Sequence, residues 1–125
     1  MANSMTISLE GDHIRAVSRG EKSIAWSRKF WRAVVAACEA NDCYKILGIG
    51  ESTNALPIMD GFEHVALFRE LGINTKYRIA WVEMNPEAVK AVKFVDAALF
   101  NRMLPGRVFK TEDEANNWLH GERGY

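Results

Sequence analysis

Tyr44 to Gly50, YKILGIG, followed by Glu51 to Pro57, ESTNALP, is the stretch whose reading decides the fold. A short apolar run bounded by turn residues reads as a buried strand. The polar segment behind it leads into a helix, and in an open α/β sheet that is the usual place for a ligand or partner. The stretch therefore names both a central strand and a candidate site, Glu51, Ser52, Thr53 and Asn54, with Asp60 in the helix that follows.

Working outward toward the N-terminus, Met5, Ile7 and Leu9 alternate with Thr6 and Ser8, the period of a half-buried strand. Gly11-Asp12 turns the chain into a hairpin, whose second strand, His13 to Arg19, is expected at or near an edge with one side wet. His13 is expected to be a solvated turn residue. From Ser23 to Ala40 the period becomes helical, with Ile24, Trp31, Val34, Val35 and Cys38 on one face. A flanking stripe of Trp26, Phe30, Ala33 and Ala37 widens the apolar arc beyond what one sheet face needs. Either a neighbouring helix covers that stripe or it meets a second copy, a partner or a ligand.

Toward the C-terminus, a helix from about Ile58 to Leu71 ends at Gly72, with Ile58, Phe62, Val65 and Phe68 as its core face. Tyr77 to Met84 encloses the apolar run IAWV, read as a strand covered on both faces in the middle of the sheet. Asn85 can cap and Pro86 suits a first helical position, so the next helix is expected to begin there, with Ala88, Val92, Val95, Leu99 and Met103 facing inward. Asp96 falls inside that apolar arc and must reach an arginine or a backbone donor, or serve a function. Arg107 to Lys110 is a short strand, and Thr111 to Glu114 is a capping box opening a last helix that buries Ala115, Trp118 and Leu119. The expected organisation is one domain over 1–125, with an ordered core over 5–119 and a frayed tail over 120–125. Its class is α/β: a mixed sheet of about five strands, an N-terminal hairpin then parallel strands, with four helices.

Composition excludes several functions. Lysine plus arginine and aspartate plus glutamate both number 16, so no net field draws the 125-residue chain to nucleic acid or an anionic surface. The cluster of Arg15, Arg19, Lys22, Arg28, Lys29 and Arg32 is read as a solvated basic face, without nucleic-acid binding. Cys38 and Cys43 lack a disulfide or zinc pattern and are expected to be free thiols in a reducing cytoplasm. No signal-peptide order and no apolar run of about 18 residues is present, so no stable membrane insertion is expected. The candidates for catalysis are Cys43, Asp60, His64 and Asp96; Asp60 and His64, at i and i+4, could share a proton or a metal, although an exposed pair explains the spacing. Nothing in the sequence shows these residues converging, and the chain is read as a non-enzyme without a cofactor.

The hairpin start, the loop after the third strand, the RIAWVE strand and the ending RVFKTEDEANNWL resemble the SpoIIAA-like proteins, fold relatives of the STAS domains, from about Met5 to Leu119. Phe109, Ala115, Trp118 and Leu119 carry the ending as a packing pattern. The resemblance implies a small cytoplasmic regulatory or protein-binding module, often self-associating as a homodimer. The Asp-Ser-Ser/Thr-Gly segment of the phosphorylated antagonists is replaced here by the residues from Glu51 to Gly61, which leaves Ser52 and Thr53 as hydroxyls in the corresponding loop. The alternative expectation is a small-molecule or lipid-binding domain, its apolar cleft between helix and sheet lined by Trp26, Phe62 or Trp81.

Overall fold

The computed structural model describes residues 3–54, 58–101 and 106–121, with the backbone alone described at 58–62, 91, 94 and 98–101. Five strands, β1 (Ser4–Glu10), β2 (His13–Gly20), β3 (Lys45–Ser52), β4 (Arg78–Glu83) and β5 (Arg107–Phe109), lie side by side in chain order. The β1–β2 pair is antiparallel and the other pairs are parallel, so the chain is an α/β protein with a mixed sheet. Gly11 opens the two-residue turn of the hairpin at φ +66, a conformation that a right-twisted hairpin asks of glycine.

The helices are α1 (Ile24–Asn41), α2 (Ile58–Glu70), α3 (Val89–Asn101) and α4 (Glu112–Gly121). Each parallel crossover steps to the next strand in the same direction, and right-handed connections of that kind stack their helices on one face. The hydrophobic cluster on that face joins Ile14, Ala16, Ile46 and Ile79 of the sheet to Phe30, Trp31, Val34 and Cys38 of α1 and to Val65, Leu67 and Phe68 of α2, with Val95 of α3 at its margin. Among the described residues no strand follows α4, which folds back over the opposite face and buries Ala115 and Leu119 against Val17, Leu47, Ile49, Ala80 and Val82. Side chains alternate along each strand, so β2, β3 and β4 each serve two separate cores.

Local chemistry sets the helix ends. Ser23 accepts the Trp26 N–H at the start of α1, and Asp42, left-handed at φ 49, sends its own N–H to Cys38 and Glu39 at the end. Thr111 likewise accepts the Glu114 N–H and caps α4.

Three expectations are corrected. The third helix begins at Val89, because Asn85 to Ala88 forms a separate turn in which Asn85 Oδ1 accepts the Glu87 N–H and Ala88 N–H reaches the Asn85 carbonyl. The Asn85 side chain also donates to the Ser52 carbonyl, tying this turn to the end of β3. The second strand lies beside the edge strand β1, as expected, but Val17 on its supposedly wet side is covered by α4. The last helix continues through His120 to Gly121, two residues into the expected tail. Leu99, Met103 and the inward face read for Ile58 and Phe62 lie outside the described side chains.

Among the described residues no helix is long and apolar enough to cross a membrane. The early basic cluster forms no single basic face: Arg15 pairs with Glu112, Arg19 with Glu51, Lys22 with Glu83, and Arg28 and Arg32 with Glu70.

Candidate functional site

A cleft opens between the helices and the carboxyl ends of β2, β3 and β4, with a cavity volume of about 100 Å³. It exists because of a register. Parallel pairing sets Gly48 beside Trp81 and Gly50 beside Glu83, all on the helix-bearing face. A Cβ on Gly48 would overlap the six-membered ring of Trp81, and one on Gly50 would fall 2.5 Å from Glu83 Oε1 and 2.9 Å from Trp81 Cζ2. The two glycines make a shelf on which the indole and the carboxylate lie flat.

Aromatic rings line the cleft above this shelf. Phe30 meets Trp31 and Trp81 edge-on, with centroids 5.3 and 6.0 Å away, and Trp31 meets Phe68 at 4.9 Å. Trp26 closes one side and donates its indole N–H to Ser18 Oγ at 2.8 Å. Val92 and Val95 of α3 face them. The apolar stripe read from α1 is therefore folded inward: Phe30 is buried and Trp26 half-buried, while Ala33 and Ala37 pack partly buried behind them.

Several polar groups interrupt this lining, and a buried carboxylate outside it ties two of them, Lys22 and Ser52, down. Glu83, whose side chain is 0% exposed, is 3.0 Å from Lys22 Nζ, itself 17% exposed. The same carboxylate accepts from Ser52 Oγ at 2.8 Å and from Trp81 Nε1 at 3.3 Å. A buried carboxylate requires this kind of pairing, since removing either charge would strand the other in a low-dielectric site. His64 Nε2 lies 3.1 Å from Ser27 Oγ. Asp96 faces Arg107 and accepts the Val108 N–H; burial pushes its pKa up to about 6, with those two partners holding it down against that trend. This meets the expectation that Asp96 reaches an arginine and a backbone donor.

The loop after β3 is partly sealed. Glu51 is exposed and pairs with Arg19, and Thr53 is exposed while its N–H donates to the Gly20 carbonyl. Ser52 is half-buried with its hydroxyl turned to Glu83, and Asn54 Oδ1 accepts the Lys22 N–H at 2.6 Å. The side chain of Asp60 and the residues from Ala55 to Pro57 lie outside the described residues.

Of the four residues cast for catalysis, His64 and Asp96 line the cleft, whereas Cys43 precedes β3 at the other end of the sheet and donates to the Asp12 carbonyl. Both cysteines are free, and burial pushes Cys38 up to about 12. His13 is not a solvated turn residue: its side chain is 13% exposed and its ring meets His120 edge-on at 5.0 Å. Burial, with His120 beside it, lowers its pKa from the ordinary imidazole value.

Sequence reading missed Lys22 and Arg107 as cleft residues, and Glu83 as the buried carboxylate that holds Lys22. A signal for Glu83 was present, since Ile79, Trp81 and Glu83 share one side of β4 by simple alternation. No family model matches the chain, and no curated protein matches it.

Proposed function

We propose that this chain is a binding module for a small, largely apolar molecule, seated in the cleft over the Gly48 and Gly50 shelf. The observation that carries the reading is the cleft itself: a cavity of about 100 Å³, open at its mouth, walled by Trp26, Phe30, Trp31, Phe68 and Trp81, with a minority of polar groups in its lining. Ligand sites are typically concave and apolar, with a few fixed polar groups that orient the guest. Lys22 and Arg107 in the lining suit a guest whose polar end accepts hydrogen bonds.

The likeness to SpoIIAA-like proteins supports a cytoplasmic, regulatory role over a catalytic one, and the sequential sheet with α1 to α3 on one face is consistent with that likeness. In this reading the module has no chemistry of its own, and occupancy of the cleft is the signal. A protein partner at the rim is the competing reading, favoured by the exposure of Glu51 and Thr53. It asks nothing of the apolar interior, which separates the two.

Tag-free protein titrated with dodecanoate or with 1-anilinonaphthalene-8-sulfonate tests the proposal. The expected result is one saturable site read by tryptophan emission, with Val92→Trp and Val95→Phe, which fill the cleft, each weakening binding at least about 10-fold while the fold is retained. No saturable change, or equal binding by both filled variants, would overturn it.

A further inference from the structure

We propose that Asp12, His13 and His120 form a site for one divalent transition-metal ion, zinc being the best match, at the end of the sheet opposite the cleft. One donor atom from each residue lies within 4.8 Å of the others. His13 Nδ1 is buried, has no hydrogen-bond partner, and is 3.9 Å from Asp12 Oδ1. A buried ring nitrogen without a partner destabilises the fold, and a metal bond removes that penalty. His120 Nε2 contacts the same carboxylate oxygen.

His120 also carries the supporting contact that metal-binding imidazoles use. Its Nδ1 lies 3.0 Å from the Asn116 carbonyl, one turn back in α4, which is satisfied only if Nδ1 bears the proton. Nε2 is then the nitrogen left for the ion: in the metal-free chain it hydrogen-bonds the same Asp12 oxygen, a contact the ion would replace, with the ring orientation fixed by the helix. Lys45 Nζ stands 3.6 Å from the second Asp12 oxygen, leaving Oδ1 for the ion. Cys43 is occupied with the Asp12 carbonyl and steadies the turn.

The donor set selects the ion. Two imidazoles and one carboxylate suit zinc and its first-row neighbours, whereas calcium and magnesium require mainly oxygen. Tetrahedral zinc, with bonds of about 2.0 to 2.1 Å, holds its donors about 3.3 to 3.5 Å apart, so small rotations of His13 and Asp12 complete the site. Three protein donors leave the fourth position to water. The ligands come from the hairpin turn and from the end of α4, so the ion clamps the last helix to the first two strands.

The experiment is calorimetric titration of EDTA-treated, tag-free full chain with zinc chloride, alongside imidazole nitrogen resonances by NMR and thermal melting. Expected are one ion per chain, perturbed His13 and His120 resonances, and a higher Tm. His13→Ala, Asp12→Asn and His120→Asn should each weaken uptake at least about 10-fold, while Asp113→Asn, on the exposed first turn of α4, binds as the parent does. His13→Ala removes a ring nitrogen without a hydrogen bond, so its metal-free fold should persist even if His120→Asn loosens α4. Absence of uptake at millimolar zinc, or uptake unchanged across all three ligand variants, would overturn the assignment.

Discussion

The two faces of one sheet differ in what their alternate residues do. On the α4 side, Val17, Leu47, Ile49, Ala80 and Val82 meet Ala115 and Leu119 in an aliphatic contact. On the other side, the intervening positions in β3 and β4 are Gly48, Gly50, Trp81 and Glu83, and three helices roof a cleft. Branched aliphatics fill space and bring no polar atoms that need partners, whereas a glycine pair under an indole and a carboxylate leaves room and a charge to be satisfied. One face is filled and the other carries a cleft.

This contrast can be broken from either side. The largest effect is expected on the filled face: Leu47→Ala should cost about 3 to 4 kcal/mol in urea unfolding and leave dodecanoate affinity unchanged well below the Tm. Altered affinity without lost stability would mean that the faces are not separate. Next, Lys22→Met leaves the buried Glu83 carboxylate without its cation and should cost about 3 kcal/mol, here accompanied by weaker binding of the dodecanoate carboxylate. Gly48→Ala should cost about 2 kcal/mol through overlap with Trp81, and the displaced indole should reshape the cleft, detectable as shifted tryptophan emission.

The smallest effect is a gain, and it depends on pH. Asp96 is raised from the ordinary 3.8 to about 6, so between those values the native chain keeps a proton that the unfolded chain has released. The stability this confers is fully present below about pH 4 and is lost as pH rises through about 6. Asp96→Asn should therefore stabilise the protein at pH 7.5 by about 1 kcal/mol, after allowance for partial exposure, and should flatten that part of the profile. Urea midpoints at pH 4.5 and 7.5 decide it; an unchanged pH slope in the variant would show that Asp96 is not the responsible group.

Most of the fold was legible because periodicity is local. The YKILGIG strand, the helix from Ser23 and the RIAWVE strand each carry their period within a few residues. The misplaced start of α3 came from reading Asn85-Pro86 as a helix cap, when the Asn85 side chain is shared between the Glu87 amide and the end of a distant strand. The cleft was half legible. Trp26, Trp81 and Asp96 were singled out, but the shelf depends on Gly48 standing beside Trp81, and no single strand records its partner's register. The sequence left open whether Trp26 and Phe30 were covered within the chain or met a partner, because their covering, the turned-in edge of α1 over β4, is a tertiary fact. His13 looked solitary for the same reason, its neighbour lying at the far end of the chain.

The central claim is that the face bearing Gly48 and Gly50 receives a guest and the α4 face does not. The chain supplies its own probe, with Trp26, Trp31 and Trp81 lining the cleft and Trp118 packed on the opposite face. Indole N–H resonances followed through a dodecanoate titration should show the first three moving together to saturation while Trp118 stays in place. Movement of Trp118 alone, or no movement at any of the four, would contradict the account.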